Sequence, residues 1–231
     1  ADGQVCLVGT TMLRGSNDAD FELSYPRRAF YVSPFWLDVH EVTVGRYRAC
    51  VEAGDCSEPA DPMHASHLRD ADPMLPVIGV TAAQATAFCR AAGGRLPTET
   101  EWERAAAGAH ARPFPWGTEV GCDRANWGHC VGDLVPVGSY PLGRSPEGVD
   151  DLMGNVWELT SDRIVVYLPD GNYTAFDPEP PCDPAHEARA GVDLFVSIRG
   201  GSWGSASEPE LARHPALRRA RAPIEMGMPD A

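Results

Sequence analysis

The sequence predicts a single α+β domain with little regular secondary structure, on three observations. Glycine and proline are abundant, at 23 and 21 of 231 residues, so turns must be frequent. Three stretches combine helical periodicity with a capping residue, and they lie among short β-branched or aromatic runs. No internal repeat and no linker divides residues 1–231, so helices and strands share one core.

The elements follow in order. Val5 to Ser16 alternates loosely and ends in Arg14-Gly15-Ser16, a strand entering a turn. Phe30 to Val39 is a second strand, with Pro34 marking a bulge or edge. Thr43 caps a helix over Val44–Ala53, whose Val44, Tyr47 and Val51 share a face and which Gly54 stops. Ser57 to Met74 reads as a loop rich in Pro, Asp and His, with His64 and His67 solvated. Pro76–Val80 is a short strand entering a helix that Thr81 caps and Gly93-Gly94 ends near Ala92, with Ala85, Phe88 and Cys89 inward. Thr98 to Glu101 is a capping box opening a helix from Glu99 to Ala107. Pro113–Gly117 is an aromatic turn, Val135–Ser139 a strand, and Arg163–Asp193 an acidic, Pro-rich surface loop. Phe195 to Trp203 is the last strand, followed by an Arg-rich tail, Arg213 to Arg221.

Composition excludes several functions. Hydrophobic content is 43%, yet no apolar run approaches the roughly 18–20 residues of a membrane helix. A net charge of −14 argues against nucleic acid. All 19 basic residues are arginine, which excludes a Schiff-base lysine and a Gly-Lys-Ser/Thr phosphate loop. Seven cysteines lack zinc spacing. Cys50 with Cys56 and Cys122 with Cys130 are spaced as short disulfide loops, which places the chain in a secreted or periplasmic setting. Cys6, Cys89 and Cys182 have no evident partner, and Cys89 reads as a buried apolar thiol. The start at Ala1-Asp2-Gly3 reads as a processed or trimmed terminus.

One stretch invites a metal. Asp151 to Glu158 places two carboxylates on either side of a tight Gly154-Asn155 turn, beside Trp157. Hard oxygen donors on an irregular backbone suit calcium, although solvated acids on an ordinary turn would have the same composition.

Several segments together resemble the formylglycine-generating enzyme family, also called the sulfatase-modifying factor family. They are Phe35–Thr43, Gly94-Arg-Leu-Pro-Thr-Glu-Thr-Glu-Trp-Glu103, Pro115-Trp-Gly117, Pro136-Val-Gly-Ser139, Gly154-Asn-Val-Trp-Glu158 and Arg199-Gly-Gly-Ser-Trp203. The resemblance implies a C-type-lectin-like fold. It also implies a structural calcium held by the Asp151 and Glu158 side chains and the Gly154 and Val156 carbonyls. A second family calcium site would begin at Asn126 and Trp127. The loop that should complete it is shortened to Gly128–Leu134, leaving only Asp133, so this site is expected to be incomplete.

The chain departs from the family where the chemistry resides. Family enzymes oxidise a sulfatase cysteine with O₂ and copper bound by two cysteines, which lie seven and twelve residues after the aromatic residue of the Arg-Gly-Gly-Ser motif. Counted from Trp203, those positions hold Glu210 and Pro215, and no cysteine follows Cys182. Copper(I) requires soft thiolates, so copper and formylglycine generation are not expected. The His-x-x-x-His-x-Glu helix of the family's iron-dependent sulfoxide-forming branch is also missing. Ser202 and His214 lack the surroundings of a hydrolase nucleophile. The sequence therefore points to a non-catalytic module that binds a small molecule or protein in a groove lined by Trp157, Trp203, Glu210, His214 and Arg218. The alternatives are a different oxidative or maturation reaction in that groove, or a sequence-diversified receptor-binding module.

Overall fold

The computed structural model describes residues 3–15, 27–119, 121–167, 192–205 and 219–223. Strands β1 (Gln4–Leu7), β2 (Thr10–Arg14), β3 (Arg28–Val32) and β4 (Phe35–Asp38) come first. Helices α1 (Val44–Glu52), α2 (Pro62–Asp70), α3 (Ala82–Ala91) and α4 (Glu99–Ala107) follow, and then β5 (Glu158–Tyr167), β6 (Val192–Arg199) and β7 (Arg219–Pro223). Helices and antiparallel strands are segregated along the chain, so the domain is α+β.

The two expected N-terminal strands form one long hairpin broken in the middle. β1 pairs with β4 and β2 with β3 in a single continuous register, from Gln4 opposite Asp38 to Arg14 opposite Arg28. The break falls at Val8-Gly9 and Ser33-Pro34, because Pro34 has no N–H to donate. Gly9 there leaves no room for a side chain, since a Cβ would lie 2.9 Å from Pro34 Cδ. The exposed face switches at this break. Cys6 and Trp36 face out on one side of it, Leu13 and Tyr31 on the other.

The helices begin at the expected caps. Thr43 accepts from Arg46 N in α1, and Thr81 with Gln84 and Thr98 with Glu101 form complete capping boxes in α3 and α4. Disulfides join Cys50 to Cys56 at the end of α1 and Cys122 to Cys130, with Cα–Cα distances of 5.3 and 5.6 Å. Cys6 and Cys89 are free thiols, and burial raises the pKa of the half-buried Cys89. Cys182 lies outside the described residues.

Several expectations are corrected. The 57–74 loop contains α2, capped by Asp61 with Pro62 in its first turn, and only Ala65 and Leu68 are buried on it. So short an apolar stripe leaves no periodic signal. His64 and His67 are accordingly half-buried on this helix rather than solvated, and His64 packs so tightly on Gly79 that a Cβ there would meet its ring at 2.1 Å. Residues 76–80 and 135–139 are not strands. The first has a lone bridge from Pro76 to Thr43, and the second, among the described residues, makes one backbone–backbone bond, Val137 N to Met74 O at 2.9 Å, its other bonds going to side chains. The supposed loop from Arg163 begins as strand, through Tyr167, and the last strand stops at Arg199, short of Trp203.

The core is organised by α4. Trp102, Ala105 and Ala106 pack with Leu7, Val149 and Leu152. A second cluster joins α1, α2 and α3 through Val44, Tyr47, Leu68 and Phe88. α4 also buries charge. Glu99 accepts from Arg14 at 2.8 Å, from Arg199 at 3.3 Å and from Ser197 Oγ at 2.8 Å. Glu103 accepts from Arg199 at 2.6 Å and from Gly15 N at 2.7 Å. Arg199 also lies over the Trp102 ring, 5.1 Å from its centroid. Such buried charges persist only when fully paired, which ties the Gly94–Glu103 segment to Arg199-Gly-Gly-Ser.

Candidate functional site

The turn between Asp151 and Glu158 is held from all sides. Asp151, Gly154 and Asn155 have positive φ, at 56°, 79° and 56°. At Gly154 a Cβ would lie 2.1 Å from Asn126 O, so only glycine fits there. Asn155 N donates to that same Asn126 carbonyl at 2.8 Å, Gly154 N to Gly200 O at 3.2 Å, and Trp203 N to Asn155 O at 3.0 Å. The buried Asn155 side chain donates to Glu41 Oε2 at 2.7 Å and accepts from Val135 N at 3.1 Å. Glu41 Oε1 accepts from Val156 N at 3.3 Å. The Pro136–Ser139 and Phe35–Thr43 segments thus serve this turn. Gly138 N donates to Asp151 Oδ2 at 2.7 Å, and His40 Nδ1 lies 3.3 Å from the same oxygen.

Three carboxylates here act on one another electrostatically. Burial raises the Glu41 pKa well above its usual range, and the Asp151 and Glu158 charges raise it further. Burial pushes Glu158 to about 8, with Asp151 adding to the rise. The Trp102 indole opposes it, facing Glu158 without reaching full hydrogen-bond geometry. Burial also raises Asp151, against the opposing pull of Gly138 N and His40. Among the described residues, no cation acting on Glu41 or Glu158 offsets their charge. Among the described residues, the Gly154 and Val156 carbonyls accept no hydrogen bond, whereas Asn155 O between them is taken. Two carboxylates and two carbonyls that accept no bond are oxygen donors of the kind a hard cation takes. Among the described residues no three His, Cys, Asp or Glu side chains gather as a metal cluster, so any cation here needs those carbonyls.

Asn126 is buried, and its Oδ1 has no hydrogen-bond partner. Its Nδ2 donates to Asp133 O at 2.7 Å, while the Asp133 carboxylate accepts from Leu134 N. Trp127 follows, its indole N–H buried without a partner. Glu41, His40, Gly138 and Asn155 were not assigned roles from sequence. The signal for Glu41 and Asn155 was present, since each is a polar residue inside an apolar motif, but their meeting across the chain could not be read.

A cavity of about 550 Å³ opens beside this turn, between β4, α1, the end of α3 and Trp157–Leu159. Trp157 and Glu158 line it, but Trp203 does not. Trp203 packs instead against His129, with ring centroids 5.8 Å apart. Glu210, His214, Pro215 and Arg218 lie outside the described residues.

A family profile described as the sulfatase-modifying factor enzyme 1-like domain matches residues 1–228. Hercynine oxygenase of Mycolicibacterium smegmatis is 38% identical over 164 residues, 68% of this chain and 36% of that protein. The inactive C-alpha-formylglycine-generating enzyme 2 of Mus musculus is 35% identical over 165 residues, 66% of this chain and 44% of that one. The chain spans about a third of the length of the hercynine oxygenases it matches. The structure of PvdO from Pseudomonas aeruginosa superposes with a TM-score of 0.70 at 22% identity, over 97% of this chain and 90% of that one, a likeness of fold. With the motif segments meeting around one turn and the profile spanning nearly the whole chain, this protein belongs to the sulfatase-modifying factor, or formylglycine-generating enzyme, family.

Proposed function

We propose that this is an exported, C-type-lectin-like member of the family, braced by calcium, that binds a ligand or protein partner and does not make formylglycine. One observation carries the reading: Glu210 and Pro215 stand where the family places its copper cysteines, and no cysteine follows Cys182. Neither residue supplies the thiolate that copper(I) needs. A relative named as inactive supports such a state within the family. The two disulfides support export, and among the described residues no helix is long and apolar enough to cross a membrane. Calcium is assigned to the Asp151 and Glu158 side chains with the Gly154 and Val156 carbonyls. The unpartnered Asn126 Oδ1 supports a second, weaker position at Asn126 and Trp127, which Asp133 does not complete. The binding groove is the cavity beside Trp157, whose volume falls within the roughly 300–1,000 Å³ of ligand sites. The test is incubation with copper(I), O₂ and a cysteine-containing sulfatase peptide, read by mass spectrometry. The peptide should keep its thiol, and an aldehyde product would overturn the reading.

A different oxidative or maturation reaction in the same cavity is the second reading, favoured by the 38% identity to a protein named as an oxygenase. A stoichiometric transition metal or chromophore in the purified protein would select it.

A further inference from the structure

Apolar side chains that the fold leaves half-buried gather around the cavity beside the turn. Leu37 of β4, Val42, Val77, Leu96, Trp157 and Leu159 of β5 all line it, and none is fully buried. Five of the six are aliphatic, which suits a hydrocarbon chain. The half-buried thiol of Cys89 lines the cavity from α3. A space of about 550 Å³ between such groups offers water few hydrogen-bond partners, so its apolar surface stays unfavourable until something apolar covers it.

The charges of the lining are already committed. Asp38 pairs with Arg46 and Glu101 with Arg95, while Asp150 pairs with Arg144, which is not part of the lining. Glu41 accepts from Asn155 Nδ2 and from Val156 N, and His40 Nδ1 faces Asp151. Glu158 faces the Trp102 indole and is the residue assigned to calcium. Among the described residues, a carboxylate entering the cavity would therefore meet no uncommitted cation, and an ammonium no uncommitted anion. Either would lose hydration without gaining a partner, a strong penalty in apolar surroundings. An uncharged molecule escapes that penalty.

We propose that this cavity binds an uncharged, single-chain amphiphile with a hydroxyl head, and discriminates against the corresponding acid and amine. Its hydrocarbon chain would cover the half-buried aliphatic lining. Its hydroxyl would stay near the Asp38–Arg46 and Glu101–Arg95 pairs, whose carboxylates keep lone pairs for one more donor. This rests on the reading of the cavity as a ligand site and names the ligand class.

The test uses the full chain in calcium buffer with decanol, decanoate and decylammonium, each below its solubility or micelle limit. Binding is read by isothermal titration calorimetry. Its place is read by the rates at which N-ethylmaleimide alkylates Cys89, which lines the cavity, and the exposed Cys6, which does not. Decanol should bind and slow Cys89 at least tenfold while Cys6 is unchanged, and the two charged probes should bind at least tenfold more weakly. Ala85→Trp, which fills the cavity from α3, should abolish decanol binding. Ala85→Leu adds less volume and tests the same point if tryptophan prevents folding. No binding of decanol, an inert Cys89 in the free protein, equal slowing of Cys6, equal binding of all three probes, or undiminished binding by a folded Ala85 variant would each overturn the proposal. Tighter binding of decanoate or decylammonium would overturn it while leaving the cavity a ligand site. None of these outcomes bears on aldehyde formation, so the readings fail separately.

Discussion

Gly154 shows how little freedom the central turn allows. Any side chain there meets Asn126 O and must also hold a positive φ. Gly154→Ala should lower the melting temperature by several degrees, equivalent to at least about 2 kcal/mol, because neither backbone can yield alone. Glu41 can be examined by a double-mutant cycle. Glu41→Ala leaves Asn155 Nδ2 and Val156 N without their buried acceptor, at about 1–3 kcal/mol. Its effect and that of Asn155→Ala should fall short of additivity, as they must for groups in contact. Glu158 links the site to pH. Its folded pKa, about 8, exceeds the ordinary 4.5. Without calcium the folded state therefore binds the proton more tightly than the unfolded state, and stability falls as pH rises from 4.5 toward 8. In chelator the melting temperature should decline across that window. Saturating calcium, or Glu158→Gln, should lessen the slope, the remainder coming from Glu41 and Asp151, whose pKa values burial also raises, and a slope unchanged by calcium would remove Glu158 from the ligand set.

At the scale of elements, α4 and β6 stand or fall together. Arg199 serves both Glu99 and Glu103, so Arg199→Ala would leave two buried carboxylates undercompensated at about 3–5 kcal/mol. Arg199→Lys should recover only part of this, because one ammonium cannot reproduce the guanidinium fork or its stacking on Trp102. Urea unfolding of the two variants measures both. Elements whose signals are local were legible in sequence. Thr98 and Glu101 announce α4 because a capping box is contained within one turn. α2 was hidden because only Ala65 and Leu68 face the core, and residues 135–139 looked like a strand because a β-branched run does not reveal whether a partner strand exists. The strand break at Pro34 was legible, but the continuous register across it required the pairing itself.

For the whole molecule, calcium should act as a brace between distant segments, since Asp151 is held by Gly138, and Asn155 by Glu41 and Val135. Asp151→Asn with Glu158→Gln should lower the melting temperature in calcium but not in chelator, because a ligand that binds only the folded chain stabilises it by its binding free energy. Differential scanning fluorimetry in both buffers decides it, and equal losses would exclude the site. The sequence by itself determined the family, the cysteine pairs, the capped helices and that neither Glu210 nor Pro215 carries a thiol, because each depends on residue identity at short spacing. Only the tertiary structure decided that Glu41 acts on Asp151 and Glu158, that Trp157 faces a cavity while Trp203 turns to His129, and that apolar side chains from β4 to β5 meet around that cavity. Those facts depend on which segments meet across tens of residues to more than a hundred, and long-range pairing leaves no periodic mark in the chain.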